Sequence, residues 1–238
     1  MNSGMYSALS GNLSALRRME IISNNLANAS TSGFKADQIQ FESVLAGVKN
    51  PSTQDPALSS ERFSTDFSAG PLQKTDNVLD VALDGDGFFV VNTPNGPAYT
   101  RQGNFHRGAG GKLVTSDGYE VQGQNGSIGV AGGRIQIGEG GVVTVDGTAS
   151  GTLARVDFPK PYALTKLGGG LFVPADPQVA TTASTAPVRQ GFQEGSNVKV
   201  VVEMARMIEA SRYFETCAKA IKSYDDMAAK AANDLGKV

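Results

Sequence analysis

Tryptophan is absent, histidine and cysteine occur once each, and no apolar run approaches the roughly 20 residues that a membrane-spanning helix needs. The lone thiol, Cys217, excludes an intrachain disulfide framework. The lone histidine, His106, has no companion histidines for a metal site and is expected at the surface or in a loop. No Gly-x-Ser-x-Gly elbow is present to carry a nucleophile. Charge is also scarce: charged residues make up 18%, against about 25% in typical soluble domains. The net charge is -2 and there is no long basic run, which argues against a nucleic-acid or anionic-membrane partner. The opening Met1-Asn2-Ser3-Gly4-Met5-Tyr6 lacks a positive cluster followed by an apolar stretch, so no cleavable signal peptide is expected.

The motifs that could carry chemistry are incomplete. Asp84-Gly85-Asp86-Gly87 resembles the start of a calcium loop, but Phe88 stands where the next oxygen ligand belongs and Asn95 where the closing Glu belongs; a tight turn is expected. The runs Gly108-Ala109-Gly110-Gly111 and Gly168-Gly169-Gly170 neither follow an apolar strand into a helix nor carry a P-loop Lys-Ser/Thr, so loops are expected. Cys217 sits in a helical pattern and reads as a small packed residue. Asp117 and Glu120 could form a carboxylate pair, yet nothing singles them out from other acids. No catalytic residue, cofactor, metal or small-molecule substrate is expected.

What is present is an arrangement of two helical ends around a β-rich middle. From Gly4 to about Asn28, Met5, Leu9, Leu13, Leu16, Met19, Ile22 and Leu26 recur at steps of three and four, an amphipathic stripe. Asn28-Ala29-Ser30-Thr31-Ser32-Gly33 follows, with Gly33 as a left-handed stop. At the other end, Gly195-Ser196-Asn197 supplies a turn and an N-cap, and Val201, Met204, Ile208, Phe214, Ala218 and Ile221 mark a second stripe. Glu203 and Arg206 are spaced to pair across one turn. No Gly or Pro interrupts Ser196 to Leu235, and a helix of about 40 residues would be about 60 Å long. A helix of that length needs a partner, and the N-terminal helix is the obvious one.

Between the ends, a polar segment rich in Ser, Thr and Pro gives way to short strands bounded by turn residues. These are Val78–Leu83, Phe88–Val91, Tyr99–Arg101, Leu113–Thr115, Tyr119–Val121, Ile135–Ile137, Val142–Val145 and Leu153–Val156. The predicted fold is a mainly β central domain, 76–194, bracketed by long N- and C-terminal α-helices, 1–34 and 195–238. The helices are expected to pair as a coiled-coil-like discontinuous domain, with 35–75 as an extended linker. Two ordinary core helices packed on the β domain are the alternative reading of the stripes.

Several separated stretches together resemble the flagellar rod and hook family of axial proteins. Near the N-terminus this is Ile21-Ile22-Ser23-Asn24-Asn25-Leu26-Ala27-Asn28-Ala29-Ser30-Thr31-Ser32-Gly33-Phe34-Lys35. In the middle it is Leu79-Asp80-Val81-Ala82-Leu83 through Gly87-Phe88-Phe89-Val90-Val91, then Tyr99-Thr100-Arg101-Gln102-Gly103-Asn104-Phe105 and Leu113 to Tyr119. At the C-terminus it is Glu194-Gly195-Ser196-Asn197-Val198 and Met204 to Glu215.

The resemblance implies a structural subunit of the bacterial basal-body rod, which spans the periplasm, rather than an enzyme. It implies export, unfolded, by the flagellar type III apparatus, with Phe41-x-x-x-Leu45 similar to the segment that the export gate recognises. It also implies self-association and contact with proximal and distal rod subunits. The assembly interface would then be the stripes, Leu9, Leu13, Leu16, Met19, Ile22 and Leu26 with Val201, Met204, Ile208, Phe214, Ala218 and Ile221. Within the family the short chain and the opening Ser3-Gly4-Met5-Tyr6 fit a proximal rod subunit. A distal rod subunit is the alternative, although Phe41-Glu42-Ser43-Val44-Leu45 departs from its usual Asp-Leu-Leu-Tyr-Gln. An exported β-rich adhesin outside the flagellum would have no need of matched terminal helices.

Overall fold

The computed structural model describes residues 2–42 and 60–235, which fall into two compact units. One holds residues 1–27, 37–66 and 199–238; the other holds 28–36 and 67–198. The chain therefore crosses between them several times, and the two ends belong to one unit as a discontinuous pair.

The helical unit contains α1 (Asn2–Ala27), the strands β1 (Asp37–Glu42) and β2 (Ser60–Thr65), and α2 (Val200–Leu235). The helices run antiparallel. Gly4 lies beside Tyr224 and Gly11 beside Tyr213 and Cys217, while Asn25 reaches Glu203 at the far end. Along α1 the least exposed positions include 4, 8, 11, 15, 18, 22 and 25, and along α2 they include 203, 207, 210, 214, 217, 221 and 224. Both series alternate steps of four and three, so each helix turns one narrow seam to its partner. Most of the α1 seam is small: Gly4, Ala8, Gly11 and Ala15. Small side chains let the axes approach closely, and the bulk comes from Phe214 and Tyr224 opposite.

Strands β1 and β2 form an antiparallel hairpin, in register from Asp37 opposite Thr65 to Glu42 opposite Ser60. Sequence patterning assigns this stretch to a linker because it is polar. Its order comes from side-chain bonds: the Thr65 hydroxyl donates to Asp37 Oδ1 (2.8 Å), and Gln38 Nε2 donates to Asp66 (3.2 Å).

The β unit is built on a sheet whose backbone order is Leu164–Gly168, Leu171–Pro174, Gly96–Thr100, Phe88–Thr93, Glu120–Gly123, Leu113–Val114 and His106–Arg107. Phe88–Thr93 is its centre, and alternation splits its side chains. Phe89 and Val91 enter a core with Val81, Phe105, Leu113 and Val121, while Phe88 joins Phe158 and Phe172 on the other face. Phe88 meets Phe67, Phe158 and Phe172 edge-on at 5.8–5.9 Å between centroids, the favoured geometry for aromatic pairs. A three-stranded sheet (Ile135–Ile137, Val142–Val145, Thr148–Thr152) and two ladders complete the unit, Val81–Leu83 with Val188–Gln190 and Leu72–Lys74 with Phe192–Glu194.

The first helix ends at Ala27, one residue before the expected end near Asn28, and Gly33 adopts φ +66° where its backbone passes against Arg101 and Gln102, so that a Cβ would come within 2.6 Å. One expected boundary moves. The second helix begins at Val200 rather than Ser196, because Asn197 is engaged elsewhere, as described below. Asp84 and Asp86 lie in a bend between Val81–Leu83 and Phe88–Thr93, strands that do not pair with each other, so the tight turn is not a hairpin. Their carboxylates pair with Arg189 (3.2 Å) and Lys160 (2.6 Å).

Candidate assembly surface

The helical unit divides the candidate interface residues into two groups. Ile22 is buried in the seam, Phe214 and Ile221 occupy seam positions half-buried, and Met19, Leu26 and Ala218 are half-buried beside it. In contrast, Leu9, Leu13 and Leu16 are 40–51% exposed, and Val201, Met204 and Ile208 are 56–81% exposed. The hydrophobic stripes thus divide: Met19, Ile22 and Leu26 with Phe214, Ala218 and Ile221 serve the pairing of the two helices, together with the small residues of α1, while the other six are left in water. Phe41 falls in β1, and Leu45 lies outside the described residues.

The start of α2 is fixed by Asn25, which is fully buried. Its amide donates to the Asp37 carbonyl (2.9 Å) and to Glu203 Oε2 (3.4 Å), and its oxygen accepts the Asp37 N–H (2.9 Å). One side chain therefore satisfies β1 and the first turn of α2 together. Glu203 is completed by Arg206, 2.6 Å away. Further along the seam, the Cys217 thiol beside it, and then burial, push the Tyr213 phenol above its ordinary value.

Inside the β unit, the stretches that flank the chain crossings converge on a buried ionic cluster. Glu194 is 1% exposed and receives Lys35 Nζ at 2.6 Å, an Arg101 guanidinium nitrogen at 3.1 Å and the Gly70 N–H at 2.9 Å. Lys35 also donates to the Ser68 carbonyl (2.6 Å), and Arg101 to the Gly85 carbonyl (2.6 Å) while stacking over Phe88. Asn197 accepts the Ala36 N–H (2.7 Å) and donates to Ser68. The two segments that leave this unit, after Ala36 and after Val198, are thereby tied to one another. Lys35, Arg101 and Glu194 stand in the sequence motifs without a role, and Asn197, expected at the N-cap of the second helix, bonds Ala36 and Ser68 instead. The available signal is three ionic residues embedded in Gly-rich and aromatic motifs, where a charge has no helical or surface pattern to serve.

His106 is exposed in a two-residue strand, Cys217 is buried in the helix seam, and Glu120 pairs with Lys112 at 2.7 Å. No helix among the described residues is long and apolar enough to cross a membrane.

Comparison with known proteins defines the class. Residues 5–35 match the flagella basal body rod protein family, residues 82–146 the flagellar hook protein FlgE/F/G D1 domain, and residues 189–235 the flagellar basal body rod FlgEFG protein C-terminal family. The class is that of flagellar axial proteins, whose work is structural rather than enzymatic. The chain belongs to the flagellar basal-body rod proteins and is a structural subunit of the rod. It is similar to the rod protein FlgF of Rhizobium meliloti, 31% identical over 241 residues and 99% of each chain. It is likewise similar to FlgF of Caulobacter vibrioides, 31% over 247 residues and 100% of each. FlgG of Bacillus subtilis is 32% identical over 261 residues, covering 96% of this chain and 97% of the relative.

Proposed function

We propose that this rod subunit belongs to the proximal rod, crosses the cell envelope unfolded through the flagellar type III apparatus, and polymerises in the periplasm through its terminal helices. The helices pair in a coiled-coil-like manner within each subunit, and their outer faces then pack against self and against neighbouring rod subunits. The observation that carries this reading is the set of large apolar side chains left exposed on the helix pair, outside the seam by which the two helices meet. Isolated, that surface costs free energy; in an assembly each square ångström buried recovers about 25 cal/mol. The proximal position is supported by alignment length: FlgF relatives align over 241 and 247 residues, whereas FlgG of Bacillus subtilis needs 261, with more insertions. A chain with one buried thiol also suits passage through an oxidising compartment.

The test is Ile208→Asp, which places a carboxylate on the exposed face without entering the seam. Purified variant and parent should share one melting temperature, while rods fail to form and cells lose motility. Motile cells carrying Ile208→Asp would refute polymerisation through this face.

A further inference from the structure

The strands of the β unit are joined in two ways. Its hairpins pair sequence neighbours: Phe88–Thr93 with Gly96–Thr100, Ile135–Ile137 with Val142–Val145, and Leu164–Gly168 with Leu171–Pro174. Each closes a short loop, which costs little chain entropy. The second way depends on a single segment, residues 188–197. Within it Val188–Gln190 pairs with Val81–Leu83, and Phe192–Glu194 pairs with Leu72–Lys74. Each of these ladders is a sheet of only two strands.

The same segment reaches further through its other polar groups. The Glu194 carbonyl accepts the Gly33 N–H (2.7 Å), and the Gly191 carbonyl accepts the Thr75 N–H (2.8 Å). The Val188 N–H donates to the Glu139 carbonyl (2.9 Å), and the Gln190 side chain accepts the Ile137 N–H (3.1 Å). The Glu194 carboxylate is the one on which Lys35 and Arg101 converge. Val188 and Glu194 are both buried, so the segment runs through the interior of the unit. Residues 33–36, 70–83 and 135–139 therefore share one partner. Without it Leu72–Lys74 and Val81–Leu83 have no ladder, and the carboxylate between Lys35 and Arg101 is missing.

We propose that residues 188–197 are a late-closing clasp: the hairpins form first, and the β unit closes in one step when this segment docks. The order follows from the loops. Bringing Glu194 to Gly33 encloses nearly the whole unit, and the entropy lost is offset only when all three receiving segments are met together. Partial docking is therefore unfavourable. The consequence for the subunit rests on the export reading above. Whichever end leads, a chain in transit has either 33–36 or 188–197 still behind it. It cannot complete the β unit until both have passed, and the chain stays open while it is threaded.

The experiment refolds the full-length chain and follows amide protection by pulsed hydrogen exchange. Amides of the Phe88–Thr100 hairpin should be protected in a faster phase, and those of Gly33, Thr75 and Val188 together in a slower one. Val188→Ala should leave the first phase unchanged and make the clasp amides reopen about tenfold faster or more. Val91→Ala, buried in the central hairpin, should slow the first phase instead. Protection of Gly33, Thr75 and Val188 in the hairpin's own phase, or at separate times, overturns the clasp. In flagellated cells Val188→Ala should be secreted at least as well as the parent, because the open chain is the form that passes. A smaller secreted fraction would overturn the link to transit while late closure stands. A parent that is not secreted at all overturns the export reading itself.

Discussion

Lys35 and Glu194, 159 residues apart, meet at 2.6 Å with each side chain only 1% exposed. A buried carboxylate of this kind is tolerable because Lys35, Arg101 and the Gly70 N–H supply its charge and hydrogen bonds. Removing it leaves two buried cations unmatched, which costs about 3–5 kcal/mol. Glu194→Ala should therefore lower the stability of the β unit by that amount in denaturant melts, whereas a Lys35→Met/Arg101→Leu/Glu194→Leu chain should recover most of it. The same contact makes the β unit depend on residues 28–36. A fragment cut at 76–194, the boundary that strand patterning suggests, lacks Lys35; it should melt far lower than 67–198 with 28–36 rejoined through a flexible linker. Equal melting of the two fragments would show the cluster to be dispensable.

The strands of the middle are legible in the sequence because local chemistry fixes them. Phe88-Phe89-Val90-Val91 and the Pro94-Asn95-Gly96 turn leave few alternatives, and Phe88–Thr93 with Gly96–Thr100 forms the hairpin that they specify. The hairpin of β1 and β2 is not legible: its strands are largely polar and are joined by a long stretch with no tight-turn signal. The helical ends are visible as stripes, but hydrophobicity marks their packing face only in part: Ile22, Phe214 and Ile221 lie in the seam, whereas Leu9, Leu13, Leu16, Val201, Met204 and Ile208 lie outside it. Gly4, Ala8, Gly11 and Ala15 make the seam by being small, and scales that reward apolar bulk pass over them. The ionic cluster is the least legible feature, since Lys35, Arg101 and Glu194 are joined only by the completed fold.

The seam itself can be tested at Gly11. A Cβ there would lie 2.9 Å from the Tyr213 hydroxyl and 3.0 Å from Cys217 Sγ, too close for both. Gly11→Leu should overpack the pair and cost about 1–3 kcal/mol, read as lost helical signal at lower temperature. Gly11→Ala should cost less, and adding Tyr213→Phe, which removes the nearer atom, should restore part of the loss. If Gly11→Leu melts like the parent, the helices do not approach as closely as described.

Asp146 gives a pH-dependent prediction. The N–H groups of Arg134 (2.8 Å) and Gly133 (3.0 Å) donate to its carboxylate, and they hold its pKa below the ordinary value. A depressed folded value means that the unfolded chain takes up its proton first. The stabilisation is whole above the unfolded value of about 3.9 and is lost as pH falls through the lower folded value. Asn is the suitable substitution, since residue 146 has φ +51° and Asn tolerates that region. Asp146→Asn should melt below the parent at neutral pH, with the gap closing under acid. A gap that stays constant at every pH would assign the effect to shape instead of charge.

The proposed export-gate segment needs a test that separates recognition from folding. Phe41 lies in β1 opposite Glu61, so losing it could act by loosening the hairpin as readily as by weakening a gate contact. Ile39, two residues earlier in the same strand, provides the control. An exported chain passes the gate unfolded, and a gate that reads Phe-x-x-x-Leu reads it as a linear segment, before any strand exists. Phe41→Ala/Leu45→Ala should therefore reduce secreted subunit at least several-fold, with the β-unit melt unchanged. Ile39→Ala removes a β-branched residue from the strand and should weaken the hairpin while secretion stays normal. Normal secretion of the double variant would remove the gate assignment. An equal fall in secretion for Ile39→Ala would assign the defect to the hairpin instead.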